Sequence, residues 1–84
     1  MKPSIGRVVI ATVNQEMNNW AEFAPAIVTR VWGEHPAGGW TVNLRVLCDS
    51  ENVLWQTSVR LVDTQDDIPA GSWAGSFAFW PPRV

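Results

Sequence analysis

Apolar and polar residues alternate along the middle of the chain. In WTVNLRVLC, residues 40–48, an extended strand puts Trp40, Val42, Leu44, Val46 and Cys48 on one side and Thr41, Asn43, Arg45 and Leu47 on the other, because strand side chains repeat with a period of two. VLWQTSVRL, residues 53–61, repeats the pattern: Val53, Trp55, Val59 and Leu61 on one side, Leu54, Gln56, Ser58 and Arg60 on the other. The intervening DSEN has the composition of a turn. With those residues as the loop of an antiparallel hairpin, Cys48 faces Val53, Val46 faces Trp55, Val42 faces Val59 and Trp40 faces Leu61. The apolar sets then share one face, and a slip of one residue would turn a whole strand over. The reverse face carries Arg45 opposite Gln56, Asn43 opposite Ser58 and Thr41 opposite Arg60, a hydrogen-bonding patch with an arginine at each end.

No stretch has a convincing helical period. GRVVIATV (6–13), apolar on both faces, AIVTRVW (26–32), ending at the turn formers GEHPAGG, and SFAFW (76–80) supply three further strands. Pro81 forces Trp80 into an extended conformation, and Pro81-Pro82 favours polyproline II. NQEMNNWAEFA (14–24) reads as a long polar loop whose Trp20 and Phe23 fold back as a lid over one end of the core, and TQDDIPAGS as a second polar connection. The pattern predicts one all-β domain over residues 1–84, five strands curled into a small SH3-like barrel, with a small β-sandwich as the alternative. The C-terminal rings tether the tail by inserting between or beside the sheets.

Composition sharpens this picture. A chain of 84 residues has a thin core. The single cysteine rules out an internal disulfide, and one Cys with one His falls short of a zinc ligand set, so neither metal nor cofactor is expected. Six tryptophans, Trp20, Trp32, Trp40, Trp55, Trp73 and Trp80, accompany no tyrosine. The simpler reading buries most of these rings in place of many aliphatic residues; the functional reading leaves two or three exposed to stack on a partner. MKPSIGRVVIATVNQ contains no apolar run suited to a signal peptide or a spanning helix. Together with a lone thiol in an apolar setting, Cys48, this predicts a protein of the reducing cytoplasm without a membrane partner.

The net charge of −2 argues against a general nucleic-acid coat. The acids fall in loops or at strand ends, whereas Arg30, Arg45 and Arg60 fall inside strands, so a locally positive face sits on an acidic protein. No Ser-His-acid set, phosphate-binding glycine loop or metal cluster can be assembled, so no catalytic residue is assigned and an enzyme is not expected.

The series GRVV, PAIVTRVW, VNLRV, WQTSV, GSW and a final WPPRV resembles a family of small bacteriophage-encoded proteins that run GRVV…AAIVTRVW…VNL…W.TSV…GTWHWPPR. The resemblance extends from Gly6 to Val84; this chain departs from it by placing AGSFAF between Gly71-Ser72-Trp73 and Trp80. It implies a phage setting, hence the cytoplasm of a host cell, and a compact all-β fold. It supplies no activity.

Arginine recognises phosphate and carboxylate bidentately, and tryptophan faces stack on bases. With the phage resemblance and a core too small to enclose a ligand, these residues lead to an expected function. That function is non-enzymatic sequestration of a small anionic ligand, a nucleotide-derived host defence signal, at the interface of a homo-oligomer. The link to defence is by analogy. The expected ligand-binding set is Asn43, Arg45, Gln56, Ser58 and Arg60, with a ring such as Trp32 or Trp73. Two other classes compete. One is a protein-interaction module that inhibits or adapts a host protein through the aromatic tail or the 14–24 loop. The other is a structural part of the virion, which would co-purify with particles. The WPPRV end reads as docked, with presentation to a partner's aromatic groove as the alternative.

Overall fold

The computed structural model describes residues 1–82. The strands are β1 (Val8–Thr12), β2 (Phe23–Glu34), β3 (Trp40–Leu47), β4 (Val53–Val62) and β5 (Phe77–Phe79), with short 3-10 turns at Gln15–Met17 and Gln65–Asp67. They close in the order β1-β2-β3-β4-β5 into one barrel. All neighbours are antiparallel except β4 and β5, which run parallel, so the barrel is mixed. The expected five-stranded barrel is therefore the fold, and the sandwich alternative is not.

β5 closes the barrel. Ala78 lies opposite Ala11 of β1 and beside Leu61 of β4, and all three are buried. The interior is lined by Val9, Ala11, Ala24, Ala26, Val28, Val42, Leu44, Val46, Val59, Leu61 and Ala78. These are small and aliphatic for a geometric reason. Barrel diameter grows with strand number, and even eight strands leave only enough room for side chains to fill. Five strands leave little central space, so among the six indoles Trp80 joins the buried cluster and Trp40 packs partly against it. The expectation that most tryptophans are core is corrected accordingly: Trp80 is buried, Trp40 is half-buried against the core, and Trp20, Trp32, Trp55 and Trp73 are exposed. Burial of Trp80, with Phe79, holds the C-terminal segment as expected, while Pro81 and Pro82 are exposed. The Arg83-Val84 part of the tail reading lies outside the described residues.

The β3–β4 register agrees with the sequence pattern over half its length. Trp40 pairs with Leu61, Thr41 with Arg60 and Val42 with Val59, as alternation predicts. Beyond Val42 the register shifts: Leu44 pairs with Gln56, Arg45 with Trp55, Val46 with Leu54 and Leu47 with Val53. Two residues of β4, Thr57 and Ser58, thus stand against Asn43 alone, which is a β-bulge. Ser58 takes the left-handed conformation, φ 54°. One extra residue inverts the faces of everything beyond it. Trp55 and Val53, expected inside, point outward and are exposed. Leu54, expected outside, packs on the core, and Gln56 becomes half-buried.

The 14–24 loop also departs from expectation. Phe23 opens β2 and packs edge-to-face on Phe79, with ring centroids 5.3 Å apart. Trp20 covers nothing and stands in solvent.

Candidate binding face

Four side chains form a row across the outside of the barrel. Val8 of β1 pairs with Ile27 of β2, Ile27 with Arg45 of β3, and Arg45 with Trp55 of β4. All four are exposed, and Trp55 keeps 64% of its surface in solvent. One step further along the strands lies the pair Leu47 and Val53, also exposed. Single exposed apolar residues are ordinary, but a contiguous group on a monomer marks an interaction surface.

In the other direction the row meets a polar hub. Asn43 lies two residues from Arg45 on the same face of β3, yet it is buried. Its side-chain oxygen accepts the Trp32 indole N–H at 3.0 Å and the Ser58 backbone N–H at 2.9 Å. The first bond lays the Trp32 ring back across the sheet, where it remains 55% exposed. The Arg30 guanidinium stacks on that ring, 3.8 Å from its centroid. Such stacking favours arginine, whose planar cation meets the negative face of the ring.

The charge on this face has one sign. The strand residues that build it, 8–12, 23–34, 40–47 and 53–62, contain a single carboxylate, Glu34 at the far end of β2. Among the described residues the one ion pair joins the N-terminal amine to Asp63 at 3.5 Å. Arg30 and Arg45 therefore present guanidinium groups without a carboxylate partner among the described residues, beside two exposed indoles.

The residues expected to form one ligand site are dispersed. Arg45 and Trp32 share the outer face described above. Asn43 and Ser58 are on it too, but their mutual bond builds the bulge, and burial withholds the Asn43 amide from a ligand. Arg60 is engaged elsewhere: its Nε donates to the Gly38 carbonyl at 2.9 Å and an Nη donates to the Ala37 carbonyl at 2.6 Å, clamping the β2–β3 turn. Gln56 donates to the Thr12 carbonyl at 3.2 Å on the inward side of β4, and its buried Oε1 has no partner among the described residues. Trp73 belongs to another loop and lines a cleft with Trp20. Sequence reasoning missed Trp55, Ile27 and Val8 as parts of the face, and placed Arg30 on a positive face without assigning it to the ligand set. One sign was legible. With Val53, Trp55, Val59 and Leu61 inside, strict alternation also puts Thr57 inside, and a polar residue at that place is what a bulge relieves.

No family model, curated protein or solved structure matches the chain.

Proposed function

We propose that this protein is a non-enzymatic binding domain that works as a homo-oligomer and sequesters a small anionic ligand of the nucleotide class on the outer face of β2, β3 and β4. The observation that carries this reading is the carboxylate-poor face on which Arg30 and Arg45 sit beside exposed Trp32 and Trp55. Its apolar row needs a cover. A second copy of the same face supplies one, as a two-fold interface requires, each surface meeting its equal. That pairing brings guanidinium groups of the same sign together, which is unfavourable unless an anion lies between them. A phosphate-bearing ligand meets the charge, and its base has the exposed Trp55 indole to stack on. The phage resemblance adds a setting in which removing a defence signal is useful, and it enters as analogy.

Isothermal titration against a panel of cyclic and linear nucleotides tests the ligand, and native mass spectrometry tests the assembly. Binding that is lost in Arg45→Ala and Trp55→Ala, with the fold intact, is the expected result. Silence across the panel at high protein concentration overturns the nucleotide reading. A second reading, a protein-interaction module, draws on the same row of Val8, Ile27 and Trp55, since Trp and Arg dominate protein hot spots. It predicts a silent panel, a monomer in isolation, and one host protein captured by the wild type but not by Trp55→Ala.

A further inference from the structure

Trp20 and Trp73, from two different loops, line one cleft of about 600 Å³. They are the most exposed of the rings, at 70% and 85%. Exposed side chains on ordered backbone are pre-organised for contact, and both loops are tied down. The Trp20 N–H donates to the Gln15 carbonyl at 2.8 Å, and the Gln15 side-chain amide donates back to the Trp20 carbonyl at 3.1 Å. Asn19 and Trp20 are both left-handed, with φ of 49° and 68°, a conformation that non-glycine residues adopt only where surrounding bonds impose it. The buried Asn18 side chain imposes it here. Its amide donates to the Ala21 and Phe23 carbonyls at 3.0 and 2.9 Å, and its oxygen accepts the Asp49 N–H at 2.6 Å. On the other loop the Trp73 carbonyl accepts the Ser76 N–H at 3.2 Å, and the Gly75 N–H donates to the Thr12 hydroxyl at 3.1 Å.

The cleft has a definite electrostatic character. Among the described residues Glu16 is the one charged residue lining it, and it is exposed. Asn14 and Gln15 also line it, but the Asn14 oxygen is taken by the Glu16 N–H at 3.0 Å and the Gln15 amide by Trp20. The rings and the charge of the lining come from two indoles, whose π faces are negative, and one carboxylate. Such a lining repels phosphate and attracts a cation with a large, weakly hydrated surface.

We propose that the Trp20–Trp73 cleft binds a methylated ammonium group, held by cation–π contact with the two indoles and by the charge of Glu16. The small-molecule source is a choline-type cation, and the macromolecular source is a methylated lysine side chain. Both share this chemistry, and neither involves the arginine face, so the proposal stands independently of the anionic ligand.

The test is two-dimensional NMR of the indole N–H signals of the full-length protein. The probes are choline, its neutral isostere 3,3-dimethylbutan-1-ol, and a short peptide carrying trimethyllysine or unmodified lysine. The expected result is saturable movement of the Trp20 and Trp73 signals with choline, and binding weaker by about tenfold for the neutral isostere, as loss of a cation–π contact implies. Glu16→Gln should weaken binding several-fold, most at low salt, and Trp73→Ala should abolish it. Both positions are exposed, so these variants should fold, which the unchanged Trp80 and Trp40 signals would verify. Tighter binding of the trimethyllysine peptide than of choline would assign the macromolecular source, and the reverse order the free cation. Absence of movement at Trp20 and Trp73 with both cations, or equal affinity for the neutral isostere, would overturn the proposal.

Discussion

Asn43 and Ser58 fix the change of register in the β3–β4 hairpin: the Asn43 side-chain oxygen accepts the Ser58 backbone N–H at 2.9 Å, at the point where two residues of β4 oppose one of β3. The same oxygen holds the Trp32 indole. One buried amide thus sets which side chains of β4 face outward and orients a ring on the resulting face. Asn43→Ala should destabilise the domain by about 2 kcal/mol, because it leaves a bulge N–H and an indole N–H without their acceptor. Ser58→Gly should be neutral or stabilising by up to about 1 kcal/mol, since glycine adopts the left-handed conformation without strain. Chemical denaturation of both variants checks the pair.

Trp55 and Leu44 make the opposite test. Leu44 is fully buried and Trp55 is mostly in solvent. Leu44→Ala should cost about 2–5 kcal/mol, the range for large core deletions. Trp55→Ala should change stability by no more than about 0.5 kcal/mol, as surface substitutions do, while removing whatever binding the face performs. A large loss of stability in Trp55→Ala would mean that the register shift is absent.

The β2–β3 turn is held at two adjacent glycines with different demands. A Cβ on Gly39, φ 76°, would lie 2.2 Å from the Leu61 carbonyl oxygen, whereas one on Gly38 would meet only the Arg60 guanidinium at 3.5 Å. Gly38→Ala should therefore cost about 1 kcal/mol, the strain of a left-handed alanine. Gly39→Ala adds a collision with backbone and should cost more, about 3 kcal/mol. Thermal melts of the two variants side by side measure the difference.

Cys48 is half-buried against the core, and desolvation raises its thiol pKa above the ordinary value. Burial disfavours the thiolate, so at mildly alkaline pH the group should alkylate more slowly than cysteine in a short peptide, with its rate profile displaced to higher pH. The sign for stability follows from linkage. The folded state holds the thiol proton more tightly, so this contribution is complete below the unfolded thiol's pKa and is lost as pH rises through the raised folded value. Cys48→Ser should flatten that alkaline decline in melting temperature.

Arg60 supplies a last prediction. Its guanidinium reaches the Ala37 and Gly38 carbonyls together, which the single ammonium of lysine cannot match in geometry. Arg60→Lys should cost about 1 kcal/mol and raise amide exchange in residues 35–39, while leaving ligand affinity unchanged. Loss of affinity without loss of stability would return Arg60 to the binding site.

Alternation and turn composition made the fold legible. The pairing of Trp40, Thr41 and Val42 with Leu61, Arg60 and Val59 follows from period two alone, because burial of one face penalises any slip. The binding face was legible only in part. Arg45 was correctly placed outside, and Asn43 and Ser58 were correctly placed as neighbours, although as bulge partners rather than ligand groups. Trp55 was misplaced because a bulge costs one residue of phase, and a periodic pattern does not announce where its phase breaks.

The amino-acid order by itself determined five short strands, their antiparallel hairpin and an all-β chain, since these depend on local backbone preference and on hiding one face of each strand. Closure of the barrel was decided at the tertiary level. Once β5 sealed it between β1 and β4, the interior filled mainly with aliphatic side chains of modest size, with Trp80 joining the buried cluster. Four large rings were left outside, Trp32 and Trp55 on the outer face of the sheet and Trp20 and Trp73 lining a cleft between loops.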